Sequence, residues 1–422
     1  MLLDFTVGNY RSFYTRKTLM LQAQRISEAA KDNVAHALSY DILKTLALYG
    51  ANSSGKSNLV DAMQTMSYCV RHSAKLNSKD ALWYDPFLLL KAANKPTTFE
   101  ISFLKDSVCY RYGFSYSIKK VEEEWLFCRT TPRSKEQTLF IRNKDGIAVN
   151  EKKFAEGVGL ESKTNDNRLF LSLCDQLGGV VSNHIISWFQ TDFNVLSGLN
   201  NQDYRNFSKM LFHNKSDESK KALSFFKKLQ MGFEDLLTYE VEPSIPENIP
   251  EEYRKIVERE IQGKKSIEME TLHQLYDKSG MVCGTIEFQF DEKESAGTRK
   301  LFDISGPIFD TLARGAVLVI DELDAKMHPL ISQQIIQLFH NPATNPLNAQ
   351  LIFTTHDTHL LSSKMLRRDQ VWFTEKNDVE QTDLYCLTDI VLPDGTKPRN
   401  DANYEKNYIA GRYGAIPYII NE

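Results

Sequence analysis

Gly50-Ala51-Asn52-Ser53-Ser54-Gly55-Lys56-Ser57 fits the pattern G-x-x-x-x-G-K-[ST] without a mismatch. Each residue type has a chemical task there. The glycines let backbone N–H groups wrap a β-phosphate, and the N-terminus of a following helix favours an anion. Lys56 reaches the β- and γ-phosphates, the Ser57 hydroxyl is placed to ligate Mg²⁺, and Asn58 opens the helix beside them. A second run, Val317-Leu318-Val319-Ile320-Asp321-Glu322, is apolar and ends in two carboxylates. A buried parallel strand delivers acids in this way to the carboxyl edge of a sheet. Asp321 would hold Mg²⁺, usually through water, and Glu322 would orient and deprotonate an attacking water. A third, Leu351-Ile352-Phe353-Thr354-Thr355-His356, ends in a histidine able to hydrogen-bond a γ-phosphate or that water. Glu294-Ser295-Ala296-Gly297-Thr298 precedes a helical pattern, and serine and glycine at a helix N-terminus form an anion site.

These residues need a parallel sheet and helices to hold them. The apolar run Leu46-Ala47-Leu48-Tyr49 leads as a strand into the loop. Asn58 to about Lys75 carries Leu59, Ala62, Met63, Met66 and Val70 at helical spacing. Residues 2–7 and 18–24 alternate like strands around the turn Asn9-Tyr10-Arg11-Ser12-Phe13, so a hairpin is expected to feed the sheet that carries the loop. From Thr97 to Arg142, four β-rich runs separated by turn signals predict an antiparallel meander. Its aromatics suit base stacking, but their alternation favours core packing. Between about Asn167 and Gly280 the pattern turns helical, punctuated by Pro243, Pro246 and Pro250, with a charged helix expected over 251–278. Residues 281–290 return to strand, and the remainder to about Val371 reads as the second half of an α/β fold. No heptad pattern is sustained, so no long coiled coil is expected.

Composition narrows the class. A chain of 422 residues is too long for one ordinary core, so several lobes are expected. The division predicted is 1–165 for the N-terminal part of the site domain, 166–280 for a helical insert and 281–422 for the C-terminal part. With 42% apolar and 25% charged residues and no run of about 18 apolar residues, the chain reads as an ordinary protein of the cytoplasm, with no membrane partner. The N-terminus carries charge too early for a secretory signal. Six scattered cysteines without a C-x-x-C pair argue against a disulfide framework and a zinc site. The net charge of −4 announces no nucleic-acid binder, and the basic cluster Lys215, Lys220, Lys221, Lys227 and Lys228 reads first as a solvated face, with a nucleic-acid or partner contact left open.

The order of these motifs resembles the ATP-binding-cassette type of head found in the SMC, RecF and repair-ATPase group. Asn9-Tyr10-Arg11-Ser12-Phe13 looks like its opening motif, Gly50–Ser57 like Walker A, and Ser295-Ala296-Gly297 like a shortened signature. Asp321-Glu322 looks like Walker B, Leu323-Asp324-Ala325 like the D-loop and His356 like the switch histidine. The Asp-Glu-Leu-Asp-Ala-Lys-Met-His-Pro run and the tail Gly411–Pro417 look more closely like the AbiLi/RloA-type abortive-infection ATPases of anti-phage systems. Thr298 stands where the transporter signature has glutamine, and no Q-loop glutamine can be placed.

The resemblance implies an α/β, ABC-type P-loop ATPase head with an antiparallel β subregion and a compact helical insert. It implies ATP and Mg²⁺ as cofactors, with Arg11 added to the nucleotide contacts. It also implies a homodimer or higher homo-oligomer in which Ser295 and Gly297 of one protomer close over the nucleotide of another, controlling a separate effector, a nuclease or toxin, in phage defence. The alternative is an SMC/RecF-like DNA-repair or DNA-clamping ATPase. A built-in nuclease is disfavoured, because 66 residues follow His356 and Asp383, Asp389, Asp394 and Asp401 form no acidic cluster at a strand end. A GTPase lacks its N-K-x-D motif, since Asn94-Lys95-Pro96-Thr97 and Asn143-Lys144-Asp145-Gly146 both fail. A ring ATPase would need an arginine finger, for which Arg367 and Arg368 are the candidates.

Overall fold

The computed structural model describes residues 1–28, 31–90, 95–197, 202–242, 250, 254, 259, 263 and 265–417. It divides into one unit of Met1–Gly198, Arg314–Ala325 and Ser332–Glu422 and a second of Leu199–Ala313 and Lys326–Ile331.

The first unit is built on two sheets. One is seven-stranded and antiparallel: β1 (Leu2–Gly8), β2 (Lys17–Met20), β6 (Thr97–Lys105), β7 (Val108–Tyr116), β8 (Val121–Arg129), β9 (Gln137–Asn143) and β10 (Gly146–Val149), in the order β10-β9-β8-β7-β6-β1-β2. The meander expected from Thr97 onward is present. Its aromatics are packed inward, Phe99, Phe103, Tyr112 and Phe114 being buried, with Phe103 stacked on Trp188 at 4.0 Å between ring centroids. The N-terminal hairpin also forms, but it does not feed the sheet that carries the phosphate loop. Phe5 pairs with Ile101 and Val7 with Phe99, so β1 adds to the meander. Its link to the other sheet is a side chain instead: Gln350 accepts from the Leu2 N–H at 2.6 Å and donates to the Leu2 and Leu43 carbonyls, each at 3.0 Å.

The other sheet is six-stranded: β5 (Thr45–Tyr49), β11 (Phe193–Leu196), β15 (Val317–Ile320), β16 (Gln350–Thr354), β17 (Val371–Lys376) and β18 (Thr382–Cys386), in the order β11-β15-β16-β5-β17-β18. All neighbours are parallel except β17 and β18. β5, β15 and β16 are buried along their whole length, which is why they read as unbroken apolar runs. Between the sheets runs α1 (Lys56–His72), whose Leu59, Met63, Met66 and Val70 pack into the common core. Each such side chain removed from water contributes roughly 1.5–3 kcal/mol before entropy is counted. Below α1 lie α2 (Phe170–Gln176) and α3 (Val180–Ser187). The wholly buried Glu124 of β8 accepts from the Phe170 and Leu171 N–H groups at 2.7 and 3.0 Å and from the Tyr112 hydroxyl at 2.9 Å, tying α2 to the meander. A small hairpin, β3 (Val34–Ala37) and β4 (Tyr40–Leu43), precedes β5.

The second unit holds α4 (Gln202–His213), α5 (Asp217–Lys228), most of α6 (Ala296–Arg314) and a three-stranded sheet, β12 (Asp235–Val241), β13 (Ser266–Tyr276) and β14 (Val282–Gln289). The charged helix expected over 251–278 is not what 266–276 forms: Glu268, Glu270 and Leu272 pair with Tyr239, Leu237 and Asp235 across an antiparallel ladder. Alternation of Met269 and Thr271, both buried, outweighs the helical charge spacing there. Most of 251–264, and Pro243 and Pro246 before it, lie outside the described residues. On α5, Lys220, Lys221, Lys227 and Lys228 are exposed, and Lys220 pairs with Asp217 at 2.8 Å. No helix among the described residues is long and apolar enough to cross a membrane.

Candidate functional site

Because β15, β16, β5 and β17 are parallel neighbours, their carboxyl ends share one edge. Ligands of open α/β sheets bind along that edge. The segment after β5 is the loop Gly50–Gly55, then α1. Two glycines are required by space: a Cβ on Gly50 would stand 2.4 Å from the Thr374 carbonyl oxygen, and one on Gly55 2.2 Å from the Thr382 hydroxyl. Gly55 also has φ +111°, a left-handed backbone that side chains resist. Gly55 caps α1 with no side-chain acceptor, and the first turn has no acidic residue. The opening N–H groups of a 17-residue helix therefore face outward without a competing carboxylate, which is the arrangement an anion uses.

Lys56 is buried and donates to the carbonyls of Gly50 at 2.8 Å and Ala51 at 3.0 Å, so its ammonium lies across the loop it belongs to. Burial lowers its pKa to about 8, against the opposing pull of Asp321, Glu322 and Asp324. A phosphate needs the ammonium form. Anion binding raises the lysine pKa, so affinity is complete below about pH 8 and is lost as pH rises through that value. Nucleotide titrations are expected to weaken by up to about tenfold per pH unit above 8, toward the pKa of the bound form. A flat profile from pH 7 to 9.5 would contradict a direct role for this ammonium.

After β15 the chain turns sharply. Glu322 has φ +52°, and a left-handed backbone at a residue other than glycine costs on the order of 1–3 kcal/mol. Thr354, at the end of β16, holds the turn: its hydroxyl donates to Asp321 Oδ1 at 2.6 Å and accepts from the Glu322 N–H at 2.8 Å, and its carbonyl accepts from the Leu323 N–H at 3.1 Å. The consequence is a division of labour between neighbouring acids. Asp321 stays buried with one oxygen committed to Thr354, while Glu322 is exposed and reaches the site. The backbone N–H of His356 donates to Asp324 Oδ2 at 3.3 Å. Partial desolvation and the nearby Lys56 ammonium lower the His356 pKa below its usual value, so the ring is neutral at pH 7 although solvent reaches it.

Asn52, Ser53, Ser54, Gly55, Lys56, Ser57, Asn58, Glu322 and His356 line one pocket of about 530 Å³, together with Lys376. Gly50 and Ala51 contribute their carbonyls to Lys56 beside it. Arg11 is placed differently: it bonds Asp85 at 2.8 Å and Asp61 of α1, and it does not line the pocket. Ser295 and Gly297 belong to the second unit, at the start of α6, where the exposed Ser295 accepts from the Thr298 N–H at 3.0 Å. Ser57 lines the pocket and Asp321, buried behind Glu322, does not; a hydroxyl and a carboxylate oxygen are the ligand types that Mg²⁺ takes.

Several residues of the loop's support are invisible in the motifs. Thr374 bonds Ser54 side chain to side chain at 2.7 Å, and the Thr382 hydroxyl lies 2.9 Å from the Ser54 carbonyl and 2.7 Å from Ser12, which also accepts from Asn58 at 2.7 Å. Ser12 thus brings the N-terminal turn to the loop. The arginine-finger candidates are committed elsewhere, Arg367 to Asp369 at 2.8 Å and the Gln24 carbonyl, Arg368 to Glu28 at 2.6 Å. The C-terminal aspartates are dispersed among separate partners: Asp383 with Lys17, Asp389 with the Cys386 N–H, Asp394 with Thr396 and Asp401 with Arg399.

A mostly parallel sheet with a phosphate-loop strand, an acid-bearing strand and a histidine-bearing strand between them, joined to an antiparallel sheet, defines the class: an α/β P-loop domain of the AAA ATPase type. Within it, the family described as "AAA domain, putative AbiEii toxin, Type IV TA system" matches residues 46–172 and 196–362, and the chain belongs to that family. A similar solved structure is an SMC head bound to the C-winged helix domain of ScpA. It is 13% identical, with a TM-score of 0.38, over 92% of this chain and 97% of that one. No curated protein matches the chain.

Proposed function

We propose that the protein binds and hydrolyses ATP, that ATP draws two copies together, and that the dimer controls a separate effector in defence against phage. The observation that carries the enzymatic part is the shared pocket, in which the phosphate loop, Glu322 and His356 face one space. In this reading the α1 N–H groups and Lys56 bind and orient the triphosphate. Ser57 and Asp321 would hold Mg²⁺, which when bound screens the β- and γ-phosphate charge. Glu322 accepts the proton of the attacking water, and the neutral His356 ring donates a hydrogen bond at the γ end. The dimer follows from Ser295 and Gly297 serving the nucleotide of the opposite protomer. The phage setting rests on the AbiEii-type family and on the AbiLi/RloA-like sequence run.

The experiment is phosphate release with ATP and GTP at equal concentration. ATP is expected to turn over at least as well as GTP, because neither N-K-x-D candidate is intact. A strong preference for GTP, or no release with either, would overturn the assignment.

A further inference from the structure

We propose that Lys376 is a second nucleotide-binding cation, contacting the α- and β-phosphates from the side of the loop opposite Glu322 and His356. This rests on reading the pocket as a nucleotide site. The sheet order supplies the direction: β16 and β15, which carry His356 and Glu322, lie on one side of β5, and β17 lies on the other. Register supplies the height. Phe373 pairs with Tyr49, so β17 continues alongside the loop as the chain of β5 turns into it. Thr374 already points its hydroxyl at Ser54, and side chains two apart on a strand share a face, so Lys376 is directed to the same side. Its strand partner Thr382 is fastened to Ser54 and Ser12, which fixes the hairpin against the loop.

Lys376 lines the pocket with Asn52 to Asn58. It bonds Glu380 at 3.2 Å, and that carboxylate is 65% exposed. A solvated pair of this kind is weak, so an incoming phosphate competes with it easily. A lysine serves phosphate as a flexible point charge, which suits a position beside the loop better than within it. With Glu322 and His356 assigned to the γ end in the proposed reading, the phosphates left to Lys376 would be those shared by ATP and ADP.

The test is equilibrium binding of ADP and ATP to the full chain and its variants, with thermal melting as the folding control. Lys376→Ala is expected to raise Kd about tenfold or more for both nucleotides. Lys376→Arg should retain most of the affinity, and Glu380→Gln should tighten both by about two- to threefold through removal of the competing carboxylate. Unchanged ADP affinity in Lys376→Ala overturns the proposal, and a loss confined to ATP places the lysine on the γ-phosphate instead, which also overturns it. Failure of the underlying reading looks different: the wild-type protein would then bind neither nucleotide.

Discussion

Replacing Lys56 with alanine is expected to remove nucleotide binding almost entirely. The side chain is the ammonium carried by the loop itself, it is buried, and its present acceptors are the Gly50 and Ala51 carbonyls beside the pocket. Charge-assisted hydrogen bonds in a partly dry site contribute about 1.5–3 kcal/mol each, and two phosphate contacts would be lost together. The expected loss is therefore at least about a hundredfold in affinity. Titration of a fluorescent ATP analogue against both proteins measures it. Lys56→Ala also frees two loop carbonyls, so thermal melting must accompany the titration. Equal affinities in two equally stable proteins would sink the phosphate-loop assignment.

The parts legible in the sequence were those in which chemistry and element coincide over a short stretch. Gly50–Ser57 announces strand, loop and helix at once, and the apolar runs before Asp321 and His356 could be read as buried strands because all their faces are covered. Sheet membership was not legible in the same way. The alternation of β1 says only that one face is buried, and whether it pairs with the meander or the parallel sheet depends on register with β6, some ninety residues away. The segment 266–276 misled for a related reason: charges spaced for a helix also suit the open face of a strand, and the deciding contacts come from β12 and β14.

The supporting residues of the site were hidden for the same cause. Thr354 lies two residues before His356, yet nothing local says that its hydroxyl holds Asp321, 33 residues earlier in the chain. Thr374, Thr382 and Lys376 reach the loop only because β17 pairs with β5. Arg11 shows the converse. Its motif suggested a nucleotide contact, whereas two carboxylates, Asp61 and Asp85, now engage it. A contact with nucleotide would require that guanidinium to exchange partners.

The second large effect concerns Glu322. Glu322→Gln keeps the shape of the side chain and removes the proposed base, so ATP should still bind while hydrolysis slows by about two or more orders of magnitude. The left-handed backbone at 322 is held through the residue's own N–H to Thr354, a contact the amide variant retains. The protein should then accumulate with ATP bound. Ser295→Arg should fail to hydrolyse for another reason: bulk and charge at the start of α6 would prevent a second protomer from closing, with ATP affinity per protomer nearly unaltered. Losing the Ser295 cap also costs roughly 0.5–2 kcal/mol, which a melting curve separates from the loss of closure.

The most direct measurement is the mass in solution by light scattering, with and without ATP and Mg²⁺, of Glu322→Gln beside Ser295→Arg. ATP-driven closure predicts that Glu322→Gln doubles in mass only when ATP is present and that Ser295→Arg does not change. The same mass for both variants regardless of ATP, together with normal hydrolysis by Ser295→Arg, would contradict it.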